Sequence, residues 1–226
     1  MDTANDYRIL MAEYALGVLE RRVKQWGMPW PLSKGRALDL LGEMGRLVKR
    51  VRYSFLPPDQ LLESEDLRGL VERARELARL VLPGQPVPRM EERHRLGLAE
   101  MRWALSILVG LPSRIRLGPS NYPEYAVDVA GAEVTRVEPL PGADRLRVTR
   151  ASIGSAVFTV VTNITSIREG EVRAIAILPP AVFRGVISEA MYSSDPIERK
   201  YVGKRVPRRL LSGEVAAKVI ALLGRR

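Results

Sequence analysis

The sequence predicts an α+β protein in which an N-terminal antiparallel helical bundle is followed by a five-stranded β-barrel and a short C-terminal helix. Three observations predict this order. Apolar residues recur with helical spacing up to about Leu111, and from Tyr125 onward they alternate with polar ones. Between the two patterns, residues 113–120 end in turn formers, which is typical of a linker.

Four amphipathic helices are predicted before the linker. Each is marked by apolar residues three or four positions apart, which therefore share one face. Ser33 and Ser64 stand where their hydroxyls can cap the second and third helices. Because the connections are short, we expect neighbouring helices to be antiparallel. The residues that begin or end helices are Gly27, Pro57 and Pro58, Pro83 and Gly84, Pro88, and Gly110 to Pro112.

Five short strands are predicted after the linker. The first covers residues 127–137 and is expected to contain a bulge at Gly131. Gly154 and Ser155 form a hairpin signal between the second and third strands. Five short strands punctuated by Gly and Pro predict a small barrel, and Ser212 is expected to cap the terminal helix. The other strands are expected over residues 146–153, 156–161, 172–178 and 185–192.

Composition narrows the class of protein. With 226 residues the chain can form two modest domains, and we place their boundaries at 1–112 and 121–194, with a basic tail and helix over 195–226. The absence of cysteine excludes thiol chemistry, and the single histidine, His94, argues against a zinc site or a Ser-His-Asp triad. We therefore expect no metal, no cofactor and no enzymatic activity.

The expected location is the cytoplasm. No apolar run approaches the roughly 20 residues that cross a bilayer. The first residues are acidic and lack an apolar core, so we expect no secretory signal.

The charge favours a polyanionic partner. The chain has 36 Lys and Arg against 26 Asp and Glu, a net charge of +10. Such a surface attracts nucleic acid through phosphate contacts and counterion release. An arginine-rich composition also arises in thermophilic adaptation, so charge alone does not decide between the two readings.

Two segments resemble the signatures of the tRNA-binding OB-fold family. Residues 139–146 read Pro-Leu-Pro-Gly-Ala-Asp-Arg-Leu, where the family usually has His-Pro-Asn-Ala-Asp-Lys-Leu after the first position, so Leu140 and Gly142 depart from it. Residues 183–191 read Phe-Arg-Gly-Val-Ile-Ser-Glu-Ala-Met, similar to the family's Arg-Gly-Val-x-Ser-Glu-Gly-Met. The two lysines that often precede this motif are missing from residues 179–182.

The family occurs in free-standing tRNA-binding proteins, the methionyl-tRNA synthetase extension, the phenylalanyl-tRNA synthetase β chain and the endothelial-monocyte-activating polypeptide. The resemblance implies that the barrel is an OB-fold, that its cavity faces tRNA, and that Ser188, Glu189 and Met191 line that cavity with Asn163 near the rim. Taken singly, Met191 could equally belong to the barrel core, and an Asn at a strand end is more often a turn former.

Basic residues complete the predicted site. Arg145 and Arg147 alternate on one strand and so share a face, where each guanidinium can donate two hydrogen bonds to a phosphate. The alternative is an ordinary solvated surface, and the same holds for the basic tail. The full set of predicted RNA-binding residues is Arg145, Arg147, Asn163, Arg184, Ser188, Glu189, Met191, Arg199, Lys200, Lys204 and Arg205.

We therefore predict a non-catalytic protein that recognises tRNA by shape, as an accessory factor to an aminoacyl-tRNA synthetase. The rival hypothesis is a dimeric protein-interaction module or chaperone whose barrel cavity accepts peptide. Charge placement separates them, because basic side chains around the cavity favour RNA and an apolar, uncharged cavity favours peptide. The terminal apolar helix can pack on its own chain or across a homodimer interface.

Overall fold

The computed structural model describes residues 1–84 and 90–224 and divides into two compact units. The first unit comprises Met1–Ala126 together with Val219–Arg226, and the second comprises Val127–Lys218. Pro88, where the fourth helix is expected to begin, lies outside the described residues.

The first unit is helical, as predicted. Two short helices accompany the four long ones, and both contain a proline in their first turn, where no backbone N–H donor is needed. No helix of the described residues is long and apolar enough to cross a membrane. The helices are α1 (Tyr7–Lys24), α2 (Lys34–Arg52), α3 (Pro58–Glu63), α4 (Glu65–Val81), α5 (Glu92–Val109) and α6 (Leu111–Ile115), and α7 (Glu214–Leu223) follows the sheet.

The predicted helix caps have different outcomes. The Ser64 hydroxyl accepts a hydrogen bond from the Leu67 amide at 3.3 Å and caps α4, as expected. Ser33 precedes α2, but its side chain makes no capping bond, so that prediction was wrong. Ser212 does not cap α7 either, because Gly213 separates it from the first helical residue.

A buried ion pair fixes the start of the helical unit. The Arg8 guanidinium donates to the Asp6 carboxylate at 2.6 Å, and both side chains are almost fully buried. Arg8 also donates to the carbonyl oxygens of Arg114 at 3.2 Å and Gly118 at 2.8 Å. Burying a charge is tolerated only when its hydrogen bonds are satisfied, and here the same guanidinium joins α1 to the segment around α6.

The second unit contains the predicted five strands in one antiparallel sheet. Their spatial order is β3-β2-β1-β4-β5. Pro179 and Pro180 fall at an irregularity in the β4–β5 pairing, where the missing amide donors are tolerated. The strands are β1 (Val129–Leu140), β2 (Ala143–Ser152), β3 (Val157–Thr162), β4 (Val172–Phe183) and β5 (Val186–Tyr192).

Gly131 has a different role from the predicted one. It pairs with Ala174 in regular register, and the bulge of β1 lies instead between Val134 and Arg136. A Cβ atom on Gly131 would overlap the Tyr201 carbonyl group. Glycine is required because the backbone that follows the sheet crosses β1 at this point.

The two edges of the sheet are joined by side chains. The Val161 amide donates to Ser188 Oγ at 3.0 Å, and the Thr159 amide donates to Glu189 Oε2 at 3.1 Å. Ser188 Oγ in turn donates to the Ala190 carbonyl oxygen at 3.0 Å. Between the described strands β3 and β5 no backbone ladder forms, so the sheet is not closed, and these two side chains supply acceptors for two half-buried amides on the open edge of β3.

The core between the curved faces of the sheet is apolar with one polar pair. It includes Val134, Val160 and Ile175, all fully buried. The Thr149 hydroxyl donates to the Val160 carbonyl oxygen, so the Tyr192 hydroxyl, 2.8 Å from Thr149 Oγ1, is the donor of that second bond. Burial raises the pKa of Tyr192 above its ordinary value of 10.0.

Replacing Ser188 tests the side-chain closure. Ser188→Ala leaves the Val161 N–H without its acceptor and should lower the free energy of unfolding of the sheet unit by about 1–3 kcal/mol. Urea unfolding, with amide exchange assigning the transition to β3 and β5, measures it. Ser155→Ala removes an exposed loop hydroxyl and should change stability by less than about 0.5 kcal/mol. Equal stability of Ser188→Ala and the unmodified protein would contradict this role.

Candidate nucleic-acid interface

The second signature begins in a tight turn between β4 and β5. Phe183 pairs with Val186, so Arg184 and Gly185 form a two-residue hairpin loop. Their φ angles are +47° and +81°, the signs that a type I′ turn requires at both central positions. Asn and Gly adopt this conformation readily, whereas arginine is strained in it by on the order of 1 kcal/mol or more.

The first signature forms a second hairpin turn that meets the first one. Leu140 pairs with Ala143 across Pro141 and Gly142, and Gly142 has a φ of +71°. This sequence and this sign are typical of a type II turn. A Cβ atom on Gly142 would lie only 3.1 Å from Arg184 Nη1. The glycine that departs from the family pattern therefore leaves room for the guanidinium of the other signature.

One exposed arginine is on the second turn and another follows the first turn, near the start of β2. Arg145 and Arg184 are both exposed, and neither has an acidic partner among residues 1–84 and 90–224. Arg147 is half-buried, and its guanidinium donates to the carbonyl oxygens of Asp144 at 3.0 Å and Leu146 at 3.1 Å. The two arginines of the predicted pair therefore differ. Arg145 is exposed to solvent, whereas the Arg147 guanidinium is hydrogen-bonded to carbonyl groups of its own strand.

The strand part of the second signature serves the fold. The Ser188 hydroxyl is buried and both accepts and donates within the sheet unit, and one Glu189 oxygen is bound to the Thr159 amide. Met191 is half-buried and lines a cleft beside β5. Direct contact of these three residues with RNA stays a prediction.

The basic segment after the sheet is bound to β1 rather than trailing from it. The Gly131 amide donates to the Lys204 carbonyl oxygen at 3.0 Å, and the Gly203 amide donates to the Gly131 carbonyl oxygen at 2.9 Å. The Arg205 guanidinium reaches the Val127 carbonyl oxygen. The backbone of this segment is therefore part of the sheet unit, which determines where its basic residues lie.

Acidic partners neutralise part of this segment. Arg199 forms a two-pronged ion pair with Glu133, with N–O distances of 2.9 and 2.7 Å. Lys200 lies 2.6 Å from Glu198, and this hydrogen bond raises the pKa of Lys200. Lys204 is exposed, without an acidic partner in the described part of the chain. The segment thus offers less free charge than its sequence suggests.

A cleft of about 790 Å³ lies beside the ends of β3 and β5. Asn163, exposed after β3, is part of its lining, together with Met191. The segment after the sheet forms the other side of the cleft and contributes both acidic and basic side chains. Its further lining residues include Leu146, Phe183, Asp195, Arg209, Ser212 and Glu214.

The fold brings residues that are distant in the sequence into one cleft. Phe183 and Arg209 were not among the predicted site residues, although both line the cleft with Asn163 and Met191. The signal available for Phe183 was its position directly before the Arg184-Gly185 pair of the second signature. The approach of Arg184 to Gly142 depends on the strand order and had no local signal.

Comparison with known proteins gives two domains in the same order as the helical unit and the sheet unit of the structure. An alpha helical domain model matches residues 1–118, just over half of the chain, and a putative tRNA binding domain model matches residues 129–213. A solved structure of a MetRS related protein from Pyrococcus horikoshii is similar to this chain at 22% identity and a TM-score of 0.34, covering 37% of this chain and 92% of that one. The resemblance seen in the two signatures is confirmed. The chain therefore belongs to the family of the alpha helical domain, and its residues 129–213 form a domain of the putative tRNA-binding family.

Proposed function

We propose that this protein binds tRNA through its sheet unit and acts without catalysis. The observation that carries the proposal is the placement of Arg184. A hairpin position that favours Asn or Gly is occupied by an arginine in a strained conformation, exposed and beside the turn of the other signature. Residues held in strained conformations cluster at functional sites, and a planar guanidinium suits phosphate.

Recognition would depend on the shape of the RNA backbone. A-form helices hide their base edges in a deep, narrow major groove, so folded RNA is read mainly through phosphates, 2′-hydroxyls and unpaired nucleotides. Arg184 is on one of two adjoining turns, Arg145 is near the start of β2 just after the other turn, and Lys204 is on the segment bound to β1. A rigid set of cations can select a phosphate arrangement, whereas a flexible tail would bind any polyanion.

The peptide-binding alternative receives less support. It would be favoured by an apolar cleft without charge, but this cleft contains Asp195, Arg209 and Glu214. Binding of an extended peptide along a free sheet edge is also disfavoured, because Ser188 and Glu189 already occupy the β3 amides.

The helical unit is the part that we propose to dock the protein onto an aminoacyl-tRNA synthetase. The proposed RNA contacts all lie in the sheet unit, so the helical unit can contact a protein at the same time. We also propose a cytoplasmic location and a homodimeric state. Sedimentation of the full chain alone measures dimerisation, and sedimentation with a synthetase measures binding to that enzyme.

Binding to tRNA should be tighter than binding to duplex DNA. Filter binding of the full chain should show a dissociation constant that rises steeply with salt, because each phosphate contact releases counterions. Random duplex DNA of the same length should compete poorly at matched salt. Equal affinity for the two nucleic acids would reduce the function to general polyanion binding.

Arg184→Asn separates binding from stability. The resulting Asn-Gly loop is the preferred type I′ sequence, so the sheet unit should be as stable as before or more stable by about 0.5–1 kcal/mol. The loss of a phosphate contact should nevertheless weaken tRNA binding and reduce the magnitude of the salt slope by about 1.

Arg168→Gln is the matched control, since Arg168 is an exposed arginine in the loop between β3 and β4 and belongs to neither turn. It should leave affinity nearly unchanged. If Arg184→Asn binds tRNA with an unaltered affinity and salt slope, the strained arginine has no part in binding.

A further inference from the structure

We infer that the cleft beside β3 and β5 accepts one unpaired nucleoside of the bound RNA, with the base stacked on Phe183; this inference rests on the proposed function. The cleft volume of about 790 Å³ falls within the range of roughly 300–1,000 Å³ typical of small-molecule sites. It is therefore large enough to hold a base and its ribose.

The apolar wall of the cleft suits a base. Phe183 is 39% exposed, and Met191 and Leu146 line the same space. A large aromatic side chain held near solvent loses the benefit of burial unless something covers it. The face of any nucleobase can cover such a ring, and single-stranded RNA binders use this contact without strong sequence preference.

The polar wall suits a nucleoside better than a phosphate. Asp195 and Glu214 are carboxylates, which repel phosphate but accept hydrogen bonds from a 2′-hydroxyl or a base amino group. Ser212 also belongs to the lining, although its Oγ is itself buried.

Arg209 supplies the positive charge at the mouth. It is exposed and has no acidic partner among the described residues, whereas Arg173, the other cation of the lining, is buried and paired with Glu171 at 2.9 Å. Arg209 can therefore hold the phosphate that follows the inserted nucleoside. The base then enters the cleft while the backbone stays outside, close to the exposed arginines of the hairpin turns.

The probes are the RNA homotrinucleotides of adenosine, cytidine, guanosine and uridine, together with folded tRNA, all added to the full chain. Methyl resonances of Met191 and Ile164, which both line the cleft, should shift on addition of the trinucleotides. Phe183→Leu keeps an apolar side chain without a ring face and should weaken trinucleotide binding about fivefold or more. The salt slope should not change, because no charge is removed.

Arg209→Gln should weaken binding and lower the salt slope by about 0.7 for the single-stranded probes. Val182→Ala and Arg168→Gln are the controls, since both residues are exposed and neither lines the cleft. Amide exchange in β4 and β5 verifies that each variant is folded.

The outcomes separate this inference from the proposed function. If tRNA binds but the trinucleotides leave the Met191 and Ile164 methyls unshifted, or Phe183→Leu binds them as the unmodified protein does, the nucleoside cleft is refuted and the arginine surface stands. If the trinucleotides bind in the cleft and tRNA does not, tRNA binding is refuted and the cleft stands.

Discussion

The sheet unit depends on how its two open edges are satisfied. Five strands curl until β3 faces β5, but no backbone ladder joins these described strands. Ser188 and Glu189 each accept one amide hydrogen bond from β3, and the two acceptors are neighbours in the chain. An unpaired edge amide costs about 1–3 kcal/mol when shielded from water, so two such contacts are a sizeable share of the stability of a small domain.

This closure assigns different tasks to the two halves of one signature. The strand half, with Ser188 and Glu189, holds the edges together, which positions the hairpin at its start. The turn half presents Arg184 at the end of the sheet, against Gly142 of the other signature. The second signature thus combines two residues that join the sheet edges, Ser188 and Glu189, with one exposed cation, Arg184.

Local chemistry accounts for what the sequence could predict. Pro57 and Pro58 lack amide donors and Ser64 has a capping hydroxyl, so helix ends follow from neighbouring residues. The five strands and their order of appearance follow from alternation and turn residues, although the strands begin and end at slightly different residues from those expected. The alternation identifies faces, because side chains on a strand repeat every second residue.

Contacts between residues far apart in the chain account for the features that the sequence could not predict. Arg199 and Glu133 are 66 residues apart, so the neutralisation of the basic segment was not visible in a local run of charges. The use of Gly131 likewise depends on the distant backbone of Tyr201, and glycine in a strand looks the same whether it forms a bulge or admits a neighbour. The sequence does not reveal that the Ser188 hydroxyl bonds to the Val161 amide and the Ala190 carbonyl oxygen, so the family resemblance led us to expect this hydroxyl to face RNA.

The most direct test of the central claim is hydrogen–deuterium exchange of the full chain with and without folded tRNA. If the hairpin turns form the interface, exchange should slow in peptides covering residues 139–147 and 181–187, while peptides from the helical unit keep their rates. Slower exchange confined to residues 1–118, or the same pattern of protection with random duplex DNA, would contradict tRNA recognition by the sheet unit.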